Sequence, residues 1–172
     1  SSLHGMGFRT TTHRLYSEKV DDEFLVEVHV PASYATDSVS YPLLIILDGN
    51  KSSGMAKDIV DWLSWAQEIP ELVVAAIGYE TDWWQKRSRD FTPSPDSSRI
   101  WGEWPLAGGA QVFQHFLEYQ VIPFLSAHYR VTEDRTIAGV SFGGLFASYL
   151  VFTTPEIVHR YIIAGPALAW ND

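Results

Sequence analysis

Two loosely alternating stretches, Phe8 to Ser17 and Glu23 to Val30, open the chain, with Val20-Asp21-Asp22 between them. Alternation interrupted by a polar turn predicts an antiparallel strand pair. Pro31 ends the second strand, because proline has no N–H for a ladder. Pro42 to Leu47 and Leu72 to Ile77 are unbroken apolar runs, the pattern of strands buried on both faces. Between them, Ile59, Trp62 and Leu63 fall at helical spacing within a segment from about Met55 to Gln67. Ala110 to His128 predicts a second helix through Val112, Phe113, Phe116, Leu117 and Val121, with Pro123 placed to kink or divide it. Thr136 to Val140 and Tyr161 to Ala164 predict two more short buried strands, with a helix over Leu145 to Phe152 between them. From Gly78 to Gly109 periodicity fails, and this stretch carries Trp83, Trp84, Trp101 and Trp104. Long irregular stretches in compact domains are usually functional or mobile.

Buried strands alternating with helices predict an α/β fold: a mostly parallel sheet, helices on both faces, and the first two strands as an antiparallel edge. The 172 residues suit one domain, 1–172. The chain is 46% hydrophobic and 14% aromatic, enough to build a core and to exclude a disordered chain. Twelve basic against 21 acidic residues give a formal charge of −9. Such a chain repels nucleic acid and anionic membrane surfaces, so neither is expected as a partner. No apolar stretch approaches the roughly 18 residues of a membrane span, and Ser1 to Gly5 lacks the basic-then-apolar pattern of a leader. A soluble protein, cytoplasmic or periplasmic, is the expectation. The absence of cysteine removes disulfides and thiolate chemistry. No two histidines stand at i, i+4, so a metal mechanism is not expected, and the serine chemistry considered below requires no cofactor. Asn50-Lys51-Ser52 fits a glycosylation sequon, a triplet common by chance.

The chemistry concentrates at Gly139-Val140-Ser141-Phe142-Gly143, a G-x-S-x-G pattern followed by Gly144. The pattern alone is common, but here a predicted strand leads in and a predicted helix leads out. In that setting the serine of a nucleophile elbow stands on a tight strand-to-helix turn, with its hydroxyl above the sheet. Side chains two residues either side of it would collide as helix crosses strand, and Gly139 and Gly143 remove them. The competing reading is a glycine-rich helix start with Ser141 as an N-cap. An oxyanion hole needs two backbone N–H groups. Phe142, next after the serine, is one candidate. The loop after the third strand, Asp48-Gly49-Asn50, offers the other, against the alternative that Asp-Gly marks a hairpin turn.

Several segments, in order, resemble the esterase D-like branch of the α/β-hydrolases. They are Phe24 to Pro31, Tyr41 to Asn50, Ile77-Gly78-Tyr79, Arg89-Asp90-Phe91-Thr92-Pro93, Gly108-Gly109-Ala110, Val121 to Phe124, Tyr129-Arg130-Val131, Ala138 to Gly144 and Gly165 to Trp170. That branch includes siderophore trilactone hydrolases, feruloyl and acetyl xylan esterases, S-formylglutathione hydrolases and mycolyltransferases. The Asp-Gly-Asn loop and the Arg-x-Arg-Asp-x-Thr-Pro stretch look most like the siderophore group. The resemblance implies an α/β-hydrolase fold, Ser141 as nucleophile, and Phe142 and Asn50 as oxyanion donors. Arg87, Arg89 and Trp170 are candidate substrate-binding residues, with an ion pair to Asp90 as the alternative for the arginines. The clustered tryptophans read either as packing and lid residues or as a wall for aromatic or catecholate groups.

In the resembled family the acid and histidine follow the last strand found here, so neither is assigned. His4, His13, His29, His115, His128 and His159 all lie where a solvated or structural role is expected. A serine hydroxyl is a poor nucleophile at neutral pH without a base. The expected function is therefore ester hydrolysis through an acyl-enzyme on a small-molecule ester, with the rest of the triad in a second chain or C-terminal fragment that completes the fold. The alternatives are a non-catalytic truncated scaffold for binding or assembly, an acyltransferase of the same family, or a homo-oligomer that covers the open end of the sheet.

Overall fold

The computed structural model describes residues 7–96 and 104–170; His4 and Trp101 lie outside the described residues. Among these residues, six strands form one sheet: β1 (Phe8–Ser17), β2 (Asp22–Pro31), β3 (Tyr41–Ile46), β4 (Val73–Gly78), β5 (Val131–Val140) and β6 (Arg160–Ala164). Their order is β1-β2-β4-β3-β5-β6. β1 pairs antiparallel with β2 and β2 antiparallel with β4, while β4, β3, β5 and β6 run parallel. The alternating opening residues thus make the antiparallel edge that their pattern predicts, and the continuous apolar runs become the parallel centre.

Among the described residues, five α-helices connect the strands: α1 (Gly49–Trp65), α2 (Trp83–Phe91), α3 (Ala110–Phe116), α4 (Ile122–His128) and α5 (Phe142–Thr153). The predicted helix over Ala110 to His128 is divided, as Pro123 suggests, by a π-type turn at Leu117–Val121. Two sequence expectations are corrected. Gly49 and Asn50 do not sit in a loop but open α1, which starts well before Met55. The stretch read as irregular contains α2; its dense Trp, Arg and Asp content hides the helical period.

Alternate residues of β3 and β4 feed two cores. Leu43, Ile45, Val73, Ala75 and Ile77 join Phe113, Phe116 and Phe146 in the larger one. Leu44, Ile46, Val74 and Ala76 meet Val60 and Ala56 of α1 in the smaller. Helices α2, α3 and α5 pack on one another on the first face, and α1 lies over β2, β3 and β4 on the second. On that second face the β5–β6 half is bare: Val140 is 53% and Ile162 54% exposed. β6 is therefore an exposed edge rather than the buried strand expected from its apolar run. A groove of about 250 Å³ runs there, walled by Met55 and Ile59 of α1 and floored by Ile46, Val140 and Ile162. Among the described residues, no helix is long and apolar enough to cross a membrane.

The strand order reverses direction at β3, whose neighbours are β4 on one side and β5 on the other. In open α/β sheets this switch point, at the carboxyl ends of the strands, is where ligands bind. Asp48 follows β3 there and Ser141 follows β5.

Candidate active site

Ser141 stands between the end of β5 and the first residue of α5, with φ 58° and ψ −116°. A β-carbon makes that conformation costly, of order 1–3 kcal/mol, so it persists only where surroundings over-determine it. They do so here. The Ser141 N–H donates to Ala164 O at 3.1 Å, and its carbonyl accepts N–H groups from Leu145 at 2.9 Å and Ala167 at 3.2 Å. The residue itself is exposed. Gly139 fits its predicted purpose, whereas Gly143 faces the end of β3 rather than β5: a β-carbon there would lie 3.2 Å from Asp48 Oδ2 and 3.4 Å from Leu47 Cβ. A β-carbon on Gly139 would lie 2.3 Å from Gly143 O, and one on Gly144 3.1 Å from Ala164 O. The strand and helix cross too closely for any side chain at position 139.

Asp48 precedes α1 in the left-handed region, at φ 57° and ψ 43°. Its side chain does not cap the helix. Instead Oδ1 accepts from Arg87 Nε at 2.6 Å and from Trp83 Nε1 at 2.9 Å, and Oδ2 accepts from Arg87 Nη2 at 2.8 Å. Both partners of this bidentate pair are buried, Arg87 to 4% and Asp48 to 5% exposure. Arg87 also reaches the carbonyl of Val140 at 3.4 Å. Asn50 is fixed by its side chain: Nδ2 donates to Tyr79 O, and Oδ1 accepts from Tyr79 N–H at 2.7 Å. That pairing occupies the amide of the sequon. The backbone N–H of Asn50 belongs to the first turn of α1, where a helix supplies no internal acceptor.

Arg89 turns away from Asp48. It donates to both oxygens of Asp90, at 2.7 and 2.9 Å, and to Asp22 at 2.9 Å. Asp22 also accepts from Lys86 at 2.9 Å. The Tyr79 hydroxyl donates to Asp90 at 2.8 Å. Burial pushes the Asp90 carboxyl above its ordinary value despite Arg89. Burial, reinforced by Asp90, likewise holds the Tyr79 hydroxyl well above its own. This network ties α2 to the β1–β2 turn and to the end of β4.

A row of aromatic rings leads to the serine. Ring centres are 5.4 Å apart for Trp83–Trp84, 5.5 Å for Trp84–Trp104, 5.4 Å for Trp104–Phe142 and 5.2 Å for Phe142–Trp170. Trp170 is buried, and its Nε1 donates to Ser94 O at 2.9 Å. The structure thus gathers Ser141, Phe142, Arg87 and Trp170 into one region, with Asp48 and Asn50 beside it, and places Arg89 on the far side of α2. The sequence marks Asp48 only as a loop residue and Trp83 only as one of the clustered tryptophans, and their pairing with Arg87 and with each other is not visible in it. Their partners are distant in the chain, and no local spacing announces them.

The described histidines are engaged elsewhere. His13 bonds Tyr129 Oη at 2.5 Å, His29 lies between Thr10 and Ser53, and His115 packs on Tyr119. His128 bonds Phe124 O at 2.8 Å, and His159 stands beside the Arg135 N–H at the amino end of β6.

Comparison with known proteins agrees with this architecture. The chain is 34% identical over 143 residues to the ferri-bacillibactin esterase BesA of Bacillus subtilis (strain 168), covering 76% of this chain and 49% of that protein. It is 28% identical over 164 residues to the siderophore triacetylfusarinine C esterase of Aspergillus fumigatus, covering 88% of this chain and 53% of the relative. The chain spans about half the length of these curated relatives. Among solved structures, the BES protein of Bacillus cereus superposes with a TM-score of 0.84 at 27% identity, covering 94% of this chain and 63% of that one. The siderophore hydrolase EstA of Aspergillus nidulans gives 0.80 at 28% identity, covering 94% and 59%. The fold is that of the α/β-hydrolases, as the sequence resemblance implied. A family model described as "Putative esterase" matches residues 17–169, and the chain belongs to that family.

Proposed function

We propose that this chain carries the nucleophile and oxyanion half of a serine carboxylic-ester hydrolase that works through an acyl-enzyme on Ser141. One observation carries the reading. Ser141 holds a strained positive φ on a strand-to-helix bend at the sheet's switch point, exposed, beside Gly139, whose missing β-carbon lets helix and strand cross. Nothing in packing alone requires a non-glycine residue there. The hydroxyl attacks the ester carbonyl. The Phe142 N–H, at the start of α5, and the Asn50 N–H, in the first turn of α1, receive the oxyanion. Both helix N-termini favour the developing negative charge. The general base, on this reading, is a histidine outside the described residues, since His13, His29, His115, His128 and His159 are each engaged away from Ser141.

The aromatic row from Trp83 to Trp170 suits an acyl group with flat, ring-bearing surface. Relatives named as siderophore esterases support siderophore esters as the substrate class. The test is hydrolysis of p-nitrophenyl acetate by the intact protein and by its Ser141→Ala variant. The expected result is turnover that the substitution abolishes, with an acetyl adduct on Ser141 in mass spectrometry. Turnover that survives the substitution, or none in either protein, refutes the proposal.

A further inference from the structure

The buried Arg87–Asp48 pair has no role in the reaction as set out above. A candidate substrate-binding arginine should present its donors to the site, yet Nε and Nη2 of Arg87 are spent on Asp48, and the residue is almost wholly buried. Such burial is costly, because two charges leave water and packed apolar side chains of similar volume often serve stability as well or better. What the pair touches suggests why it is there. Asp48 is the hinge before α1: its carbonyl accepts the Lys51 and Ser52 N–H groups, at 2.9 and 3.0 Å, and so aims the turn that carries Asn50. Arg87 reaches the carbonyl of Val140, immediately before Ser141, and its guanidinium centre lies 5.0 Å from the centre of the Phe142 ring. Gly143 closes against Asp48, where a β-carbon would sit 3.2 Å from Oδ2.

We propose that Arg87 and Asp48 form a positioning strut that sets the separation of the Phe142 and Asn50 N–H groups, and so the width of the oxyanion site. The inference rests on the esterase reading. The pair spans both sides of the switch point, touching residues next to one donor through Asp48 and next to the other through Arg87. The left-handed conformation of Asp48 is held by the grip on its carboxylate, since the side chain makes no capping bond to α1. Trp83 Nε1 supplies a third donor to the same carboxylate and keeps it from swinging toward its own helix. Two donors held about 1 Å too far apart lose a large part of their hold on the transition state, because misplacement on that scale can cost 10²-fold in rate.

The test uses the intact protein, neutral p-nitrophenyl acetate, and a matching ester with a carboxylate on its acyl group. The variants are Arg87→Lys, Asp48→Asn, and the double variant Asp48→Asn with Arg87→Met, which removes both charges and fills the space with an apolar chain. Asparagine tolerates the left-handed region. In all three, kcat for the neutral ester should fall about 10- to 100-fold with KM little changed. The double variant should recover the thermal midpoint lost in the single ones but not kcat. Recovery of kcat along with the midpoint would show that the pair only supports the fold. An effect confined to KM of the anionic ester would make Arg87 a substrate contact and overturn the strut. If the unaltered protein shows no Ser141-dependent turnover, the esterase reading fails first. If that turnover is present and kcat survives in the variants, the strut alone fails.

Discussion

Replacing Gly139 by alanine tests the geometry beneath every statement about Ser141. The added β-carbon would sit 2.3 Å from Gly143 O and 2.4 Å from Gly143 C. Ordinary carbon contacts begin near 3.5 Å, so the deficit is about 1 Å. Both obstructing atoms are backbone of α5, and no side chain can turn aside to make room. Either β5 and α5 separate or the bend at Ser141 opens, and each breaks hydrogen bonds from the Ser141 backbone to Ala164, Leu145 or Ala167. Overpacking costs about 1–3 kcal/mol where side chains can adjust, so the expectation is the upper end, about 3 kcal/mol or more. Gly144→Ala meets Ala164 O and Pro166 Cα at 3.1 Å and should cost less. Gly54→Ala, inside α1 with nothing within 4 Å, should gain roughly 0.5–1 kcal/mol from helix propensity. Urea denaturation of the three variants checks the order. If Gly139→Ala unfolds at the same urea concentration as the unaltered protein, the close crossing described here does not exist.

Two further predictions follow from groups away from the serine. His29 accepts from Thr10 Oγ1 at 2.7 Å and bonds Ser53 Oγ at 2.7 Å, while Ser53 Oγ donates to Glu27 at 2.6 Å. That arrangement suits a neutral ring, and burial lowers its pKa below the ordinary 6.5. The folded state then takes up the proton less readily than the unfolded one. This contribution to stability is complete above about pH 6.5 and is lost as pH falls below it. His29→Gln should therefore show a smaller drop in urea midpoint between pH 7.5 and pH 5; an equal drop would assign the acid sensitivity elsewhere. On the bare sheet face, Ile59→Lys with Ile162→Lys should reduce binding of the dye ANS while changing stability by no more than about 0.5 kcal/mol. A loss of several kcal/mol would mean that these side chains are covered in solution.

The parts of this molecule that were legible in the sequence are those whose physics is local. Alternation in Phe8 to Ser17 and unbroken apolar runs at Pro42 to Leu47 and Leu72 to Ile77 encode which faces of a strand are buried, and the sheet realises them. The run Tyr161 to Ala164 carries the same signature, yet Ile162 is half exposed. An apolar run reports what a strand can bury against, not whether a covering element is present. Helix α2 was hidden for a different reason. Arg87, Asp90 and Phe91 are all buried, so its inner face mixes charge with ring and shows no apolar stripe. Arg89 pairs with its neighbour Asp90, but the further partners of its arginines lie far along the chain, Asp48 at a separation of 39 and Asp22 at 67, which periodicity does not register.

Ser141 shows how the two kinds of information meet. Gly139 is a local signal, because a strand and helix that cross within one turn leave no room for its β-carbon, while Gly143 answers to Asp48 and Leu47 at the end of β3. The strain they permit is not held locally. Of the three backbone hydrogen bonds that fix Ser141, one comes from within α5, and the other two involve Ala164 and Ala167 at and beyond the end of β6. The segment after β6 is therefore part of the frame that fixes the Ser141 backbone, a role that the family resemblance of Gly165 to Trp170 does not spell out. The same division applies to the proposed oxyanion donors, Phe142 and Asn50. Their backbone N–H groups come from two helix starts that the sequence places approximately, while on the strut proposal the distance between them depends on the buried ion pair joining α2 to the end of β3. Chemistry that needs two groups at a fixed separation is thus encoded twice, in the motif that supplies each group and in the distant contact that holds them apart.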